Sequence, residues 1–221
     1  KKKKKKKTQE DNLKIQQLHR IYSTEIPECM IELEKSRTLN RLKDVGQNCG
    51  NDYLNPKLQE FLYNYSRYDH SVGVALIIWH FTRDTKMTIA GLLHDISMPT
   101  FSHVIDFFNN DAETQTSTEI NTKRYIERSD TIQDILKRYG LETDDVADYS
   151  RYSIADNESP RLSADRLEYS LYMGTARGLI NMETAENIFN DLIIVKNEDN
   201  EDEMCFKTID LAKKFTRSGT K

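Results

Sequence analysis

Two neighbouring segments of this chain are too apolar for a protein surface. The first runs from His70 to about Arg83 as H-S-V-G-V-A-L-I-I-W-H-F-T-R, and the second from Met87 to Asp95 as M-T-I-A-G-L-L-H-D. Helices that are apolar nearly all round are buried, so both segments predict helices at the centre of the fold. Neither reaches the roughly 20 apolar residues of a membrane span. A chain of 221 residues is long enough to bury them in a core of its own.

The other patterns are mostly helical as well. Further helical patterns are predicted at 24–47, 103–110, 117–129, 130–139, 161–172, 182–190 and 208–215. Leu192–Val195 and Met204–Phe206 flank an acidic turn and predict an isolated β-hairpin. The predicted fold class is therefore all-α, a helical bundle with a small C-terminal β-hairpin. Because no long linker divides the pattern, residues 11–221 are expected to form a single domain.

The charge is distributed unevenly. The formal net charge is −4 although the chain begins with seven lysines, so the rest of the chain is strongly acidic. Like charges repel, and residues 1–10 are predicted to form a disordered basic tail. The acidic body argues against specific nucleic-acid binding, and only the lysine run favours that alternative. No apolar stretch follows the lysines, so no secretory signal peptide is expected.

The three cysteines indicate a reducing environment. Cys29, Cys49 and Cys205 are an odd number at unrelated spacings, and no pair forms a C-x-x-C motif. Free thiols in a reducing compartment are the simplest interpretation. Together with the missing signal peptide and membrane span, this predicts a cytoplasmic protein with no membrane contact.

The chemistry of the chain is concentrated in a few histidines and aspartates. His94 and Asp95 end the second apolar segment, and polar groups in such segments are costly unless they are paired or bind a metal. Neighbours on a helix point about 100° apart, so these two side chains can share one ion only where the helix stops. Pro99 is consistent with such a stop. For a single buried histidine, a hydrogen-bonded core residue remains the simpler explanation.

Four motifs in order change that balance. Ser66–Val74 (S-R-Y-D-H-S-V-G-V) is similar to S-R-F-E-H-S-L-G-V, and Ala90–His103 aligns with A-G-L-L-H-D-I-G-H-x-P-F-S-H. Ser163–Tyr169 (S-A-D-R-L-E-Y) is similar to S-A-D-R-L-D-Y, and Leu39–Gln47 to Q-R-L-R-x-I-x-Q. These motifs, over residues 39–173, resemble the HD-domain metal-dependent phosphohydrolases. Within that superfamily the chain is most similar to the deoxynucleoside triphosphate triphosphohydrolase branch.

The resemblance implies one divalent metal ion and a set of site residues. The implied metal ligands are His70, His94, Asp95 and Asp165. Mixed nitrogen and oxygen ligands accept Mn, Fe, Ni, Zn, Co or Mg to different degrees, so the metal itself is not identified. Arg67 is expected to hold a substrate phosphate, with Arg166 as a further phosphate contact. Gln47 is expected to approach the sugar or base, and Tyr169 to line the pocket.

A metal-activated water would attack phosphorus in this interpretation. Asp95 could also orient that water, and His103 is the best remaining general acid or base. Glu119 is a weaker candidate, placed in the segment where the branch keeps its later catalytic groups. The predicted function is a metal-dependent phosphohydrolase for a nucleotide or a similar small phosphate ester. Formation of a homo-oligomer is left open.

The chain also departs from the branch. Ser97 and Met98 stand where the branch has a glycine and a histidine, and no histidine follows His103. Methionine cannot transfer protons, so weak release of triphosphate and activity on a less demanding ester are expected. Two alternatives stand beside this function. One is a catalytically weak HD-fold module that binds nucleotides or regulates, and the other is a cyclic phosphodiesterase.

Overall fold

A computed structural model describes residues 8–48, 64–100 and 121–219. The described part of the chain is mostly helical, as predicted. Its helices are α1 (Gln9–Tyr22), α2 (Glu28–Leu33), α3 (Arg37–Asn40), α4 (Arg67–Thr82), α5 (Thr85–Leu93), α6 (Thr122–Glu127), α7 (Asp130–Arg138), α8 (Thr143–Val146), α9 (Ala164–Ala176), α10 (Met182–Asn190) and α11 (Ile209–Gly219). Short 3-10 turns cover Arg41–Asp44 and Tyr149–Arg151, and two strands, β1 (Leu192–Lys196) and β2 (Asp202–Phe206), complete the described elements.

The two apolar segments form the central pair of helices. In α4 most side chains from Arg67 to Ile78 are buried, and α5 is buried from Thr88 to Leu93. A capping box starts α4: the Ser66 side chain accepts from the Asp69 amide, and the Asp69 carboxylate accepts from the Ser66 amide. The prediction of two buried helices is confirmed, with α4 starting three residues earlier than expected.

Glycines let three helices approach closely. A Cβ at Gly91 of α5 would lie 2.3 Å from Cδ1 of Ile78 in α4. A Cβ at Gly73, on another face of α4, would lie 2.7 Å from Cγ of Glu168 in α9. Distances below 3.0 Å are too short for real Cβ contacts, so both close contacts depend on the missing side chains. Helix α4 is thereby packed between α5 and α9.

The C-terminal hairpin is confirmed. Strands β1 and β2 pair antiparallel, with Leu192 opposite Phe206 and Ile194 opposite Met204. Leu192 and Met204 are buried in the core. Helix α11 follows the hairpin and packs on α9.

Helix α1 was not predicted from its polar sequence. It begins at Gln9 with a capping box between Thr8 and Asp11, and buries Ile15, Leu18 and Tyr22 against α4 and α10. These three positions follow helical spacing, but the polar residues between them hide the stripe. Lys1–Lys7 of the expected tail lie outside the described residues, as does the helix expected at 103–110.

None of the described helices combines the length and the apolar character needed to cross a bilayer.

Candidate metal centre

The end of α5 places His94 and Asp95 on one centre. The helix ends at Leu93, His94 caps it, and the chain turns through the next three residues. The Ile96 amide donates to the Leu93 carbonyl at 3.0 Å, and the Met98 amide donates to the Asp95 carbonyl at 2.8 Å. This tight turn brings Nε2 of His94 within 3.5 Å of Oδ2 of Asp95. Adjacent side chains thus meet because the helix stops, as the sequence predicts.

Two other helices complete the cluster. Nε2 of His70, from α4, lies 3.2 Å from Oδ1 of Asp165, which projects from the first turn of α9. Nε2 of His94 lies 3.9 Å from Oδ2 of the same aspartate. Ligand atoms of His70, His94 and Asp95 all lie within 4.8 Å of one another. The structure therefore brings together all four side chains that the resemblance implies as metal ligands.

The hydrogen bonds of both histidines engage Nδ1 and leave Nε2 available to bind a metal. Nδ1 of His94 donates to the Gly91 carbonyl at 2.7 Å, because a carbonyl oxygen can only accept. Nδ1 of His70 contacts Oε2 of the fully buried Glu168 at 2.5 Å. Both Nε2 atoms therefore face the cluster and, in neutral rings, carry the lone pair that binds metals. Two imidazoles and two carboxylates in this arrangement fit a divalent ion.

The charges of the metal-free cluster are strongly coupled. Burial lowers the pKa of His70, but Glu168 and Asp165 outweigh it and raise the pKa to about 10. Burial raises the pKa of Asp165, but its hydrogen bond to His70 and the charge of that ring outweigh burial and hold the pKa below its usual value. Without a metal, the His70 ring is therefore a cation between two carboxylates, and an ion must displace its Nε2 proton.

Arg67 contacts the cluster directly. Its Nη1 donates to Oδ2 of Asp95 at 3.0 Å, and both side chains are almost fully buried. Burial raises the pKa of Asp95, but the Arg67 guanidinium, with His94 and His70, holds it below the usual value. Arg67, expected to hold a phosphate, thus contacts a residue that is predicted to bind the metal.

The cluster lies in a segment that matches a known protein family. A family model described as HD domain matches residues 67–204, which is more than half of the sequence. The chain belongs to the HD domain family. The match begins at the first residue of α4 and includes all four side chains of the cluster.

The alignments with two relatives include most of this chain but only about half of each relative. Uncharacterized protein YdhJ of Bacillus subtilis is 37% identical over 168 residues, which are 75% of this chain and 49% of YdhJ. Metal-dependent phosphohydrolase cns2 of Cordyceps militaris is 28% identical over 165 residues, 74% of this chain and 45% of cns2. The chain spans about half the length of these curated relatives.

The other residues predicted for substrate binding and catalysis do not all lie beside the metal cluster. Gln47 is buried, and its backbone amide donates to the Tyr65 carbonyl at 3.0 Å, two residues before Arg67. Tyr169 is 44% exposed. Arg166 is held by the loop before α9, donating to the Arg161 and Asn157 carbonyls, to the Asn157 side chain and to the Asp156 carboxylate. His103 and Glu119 lie outside the described residues.

The two substituted motif positions, Ser97 and Met98, are both buried. Met98 is 1% exposed and belongs to the hydrophobic core. Oγ of Ser97 lies 3.1 Å from Oγ1 of Thr122. Position 98 of this HD domain is therefore a packing position.

Two residues of the centre were missed in the sequence. Tyr149 donates from its hydroxyl to Oδ2 of Asp165 at 2.9 Å, and its ring centre lies 4.8 Å from that of His94. Glu168 contacts His70 from α9. Glu168 is three residues after Asp165, so the two share a helix face, and that spacing was a usable signal. Nothing in the polar sequence around Tyr149 distinguishes it from a surface tyrosine.

Proposed function

We propose that this HD domain is a metal-dependent phosphohydrolase that acts on a nucleotide or a similar small phosphate ester. The observation that carries the proposal is the convergence of His70, His94 and Asp95, with ligand atoms within 4.8 Å and Asp165 beside them. The name of cns2, a metal-dependent phosphohydrolase, supports the same reaction class.

Each side chain has a task in this proposal. His70, His94, Asp95 and Asp165 would hold one divalent ion, which would supply Lewis acidity and acidify a water for attack on phosphorus. Arg67 keeps Asp95 ionised and places positive charge beside the centre, where phosphate oxygens would bind. Asp95 is also expected to orient the attacking water. His103 stays the expected general acid or base, with Glu119 as the weaker candidate.

The substrate reaches the centre from the side of Asp165. The side chain of Asp165 is 26% exposed, whereas those of His70, His94 and Asp95 are at most 5% exposed. Tyr149 lies on the same side, half-buried, with its hydroxyl on the Asp165 carboxylate. We therefore place the phosphate between Asp165 and Arg67, with Gln47 and Tyr169 as the expected contacts to the rest of the substrate.

The core position of Met98 favours a second candidate. A histidine of the resembling branch is replaced here by an apolar packing residue, so one proton-transfer group is missing. A module with the HD fold that binds nucleotides with little catalysis is the alternative. Activity on triphosphates is accordingly expected to be weak, and a monophosphate or another ester is the favoured substrate.

Metal analysis with a nucleotide screen tests the proposal. The purified chain, loaded in turn with Mn, Fe, Ni, Zn, Co and Mg, is assayed for metal content and for products from mono-, di-, tri- and cyclic nucleotides. We expect about one ion per chain in the parent and none in His94→Ala. His80→Ala is the control and should keep the ion, because His80 is an exposed histidine of the same α4 helix as His70. No ion in the parent chain under any of these conditions would refute the metal centre.

Catalysis is tested separately from metal binding. His103→Ala should retain the ion and lose about 10²- to 10⁴-fold in rate, the usual loss for a general acid or base. Bound ion without hydrolysis of any substrate in the panel points to the nucleotide-binding alternative. Ring opening of cyclic nucleotides to monophosphates, with no other product, identifies a cyclic phosphodiesterase, and rapid triphosphate release contradicts the interpretation of Met98.

A further inference from the structure

We infer that Glu168 is a positioning residue for this centre. It holds the proton of His70 on Nδ1, so that Nε2 is presented to the ion. The inference rests on the proposed metal centre and adds a residue that the four ligands do not include. Glu168 does not face the ion. It acts from behind, through the ring of His70.

Both oxygens of Glu168 are engaged. Oε2 lies 2.5 Å from Nδ1 of His70, and Oε1 accepts from the Tyr65 hydroxyl at 2.5 Å. The glutamate is fully buried. Buried ion pairs are often no more stabilising than apolar side chains of the same volume. Stability alone therefore gives no reason for a glutamate here, whereas orientation of His70 does.

Gly73 provides the space that Glu168 occupies. A Cβ at Gly73 would lie 2.7 Å from Cγ and 2.9 Å from Oε1 of Glu168. Gly73 is in the interior of α4, one turn after His70, where glycine is less favourable than alanine. The two residues form a matched pair, since the missing side chain in α4 admits the carboxylate from α9.

Tyr65, which donates to the other oxygen of Glu168, is itself held in place. The ring of Tyr65 stacks on Tyr172 of α9, with ring centres 4.0 Å apart and an interplanar angle of 14°. Nε2 of His19, from α1, lies 3.0 Å from the Asp69 carbonyl and 3.3 Å from the Tyr65 hydroxyl. The Tyr65 hydroxyl has two acceptors, the Glu168 carboxylate at 2.5 Å and the Asp69 carbonyl at 3.3 Å, and the shorter contact favours donation to Glu168.

The expected effect is on metal affinity. A histidine that donates its second nitrogen to a carboxylate is fixed in orientation and becomes a more basic ligand. Loss of such a partner typically costs about 10- to 100-fold in metal affinity. Glu168→Gln keeps the shape and one acceptor but removes the charge. Gly73→Ala removes no polar group and should displace the carboxylate.

Zn²⁺ titration of the full chain tests the inference, because mixed nitrogen and oxygen sites bind Zn²⁺ more tightly than Mn²⁺. We expect the dissociation constant to rise about 10- to 100-fold in Glu168→Gln and in Gly73→Ala. Glu127→Gln is the control, since that glutamate is half-exposed and pairs with Lys123. Equal affinity in the parent and in both variants overturns the role of Glu168 and leaves the metal centre standing. Failure of the parent chain to bind Zn²⁺ overturns both.

A histidine NMR measurement keeps the inference testable even if a variant does not fold. In the Zn²⁺-loaded parent chain, the ¹⁵N spectrum of His70 should show the proton on Nδ1 and Zn²⁺ on Nε2. That proton should be strongly deshielded by the carboxylate and less so in Glu168→Gln. A proton on Nε2, or an Nδ1 proton unchanged in Glu168→Gln, shows that Glu168 does not set the tautomer.

Discussion

Each residue of the predicted metal cluster is held by a neighbour outside the cluster. The Gly91 carbonyl fixes His94, the guanidinium of Arg67 binds Asp95, and the Tyr149 hydroxyl binds Asp165. These contacts fix the orientation of side chains that would otherwise rotate. A metal can then bind without ordering the side chains first, which lowers the entropic cost of binding.

Tyr149→Phe tests one of these contacts. The substitution removes the donor to Oδ2 of Asp165 and keeps the ring against His94. We expect the metal affinity or kcat/KM to fall by about 10-fold or more, with the fold intact. Tyr152→Phe is the control, because the Tyr152 hydroxyl donates to the Asp145 carbonyl outside the cluster. Parent-like values in Tyr149→Phe would exclude a role for this hydroxyl.

Arg67→Met tests the burial of charge. It leaves Asp95 without its guanidinium partner in an almost fully buried site, and breaking a buried pair typically costs about 3–5 kcal/mol. Arg83→Met breaks the pair with Glu25, whose side chains are 52% and 61% exposed, and exposed pairs contribute about 0–1 kcal/mol. Urea unfolding of the metal-free variants measures both free energies. Equal losses in the two variants contradict the difference in burial.

Among the elements, α4 and the C-terminal end of α5 place three of the four predicted ligands, and the two helices pack through Gly91. Their existence was predictable because continuous apolar runs leave burial as the only stable arrangement. The end of α5 was predictable from the chemistry of His94 and Asp95. Helix α1 was not, because its buried stripe contains only three apolar residues, Ile15, Leu18 and Tyr22, beside the buried Asp11. The side-chain partners of the cluster were not predictable either, since they depend on how distant helices are oriented.

Gly91→Ala tests the packing of this pair of helices. The new Cβ would lie 2.3 Å from Cδ1 of Ile78 in a fully buried contact, and overpacking a core costs about 1–3 kcal/mol. We expect a lower free energy of unfolding by this amount. Ile78→Val removes Cδ1, so the double variant should be more stable than the sum of the two single changes. Simple additivity of the two free-energy changes would show that the contact does not limit packing.

In the whole molecule, the cluster joins segments that are far apart in sequence. His70 and His94 belong to the central pair, whereas Asp165 comes from α9, about 70 residues after His94. An ion that bridges them binds only when these helices are assembled. Metal binding is therefore linked to folding, and every bound ion shifts the unfolding equilibrium of the chain.

That linkage gives a pH-dependent prediction for thermal unfolding. Free Zn²⁺ at 100 times its dissociation constant should stabilise the fold by about 2.7 kcal/mol, and EDTA should reverse the shift.

The folded, metal-free His70 has a pKa of about 10, above its ordinary value of 6.5, so its positive charge stabilises the metal-free fold below pH 6.5. This contribution is lost as the pH rises towards 10. Because Zn²⁺ must displace that proton, a fixed free Zn²⁺ concentration should stabilise the fold more at pH 8 than at pH 6. His94→Ala should show no Zn²⁺ shift at either pH, and an equal shift in this variant would place the ion elsewhere.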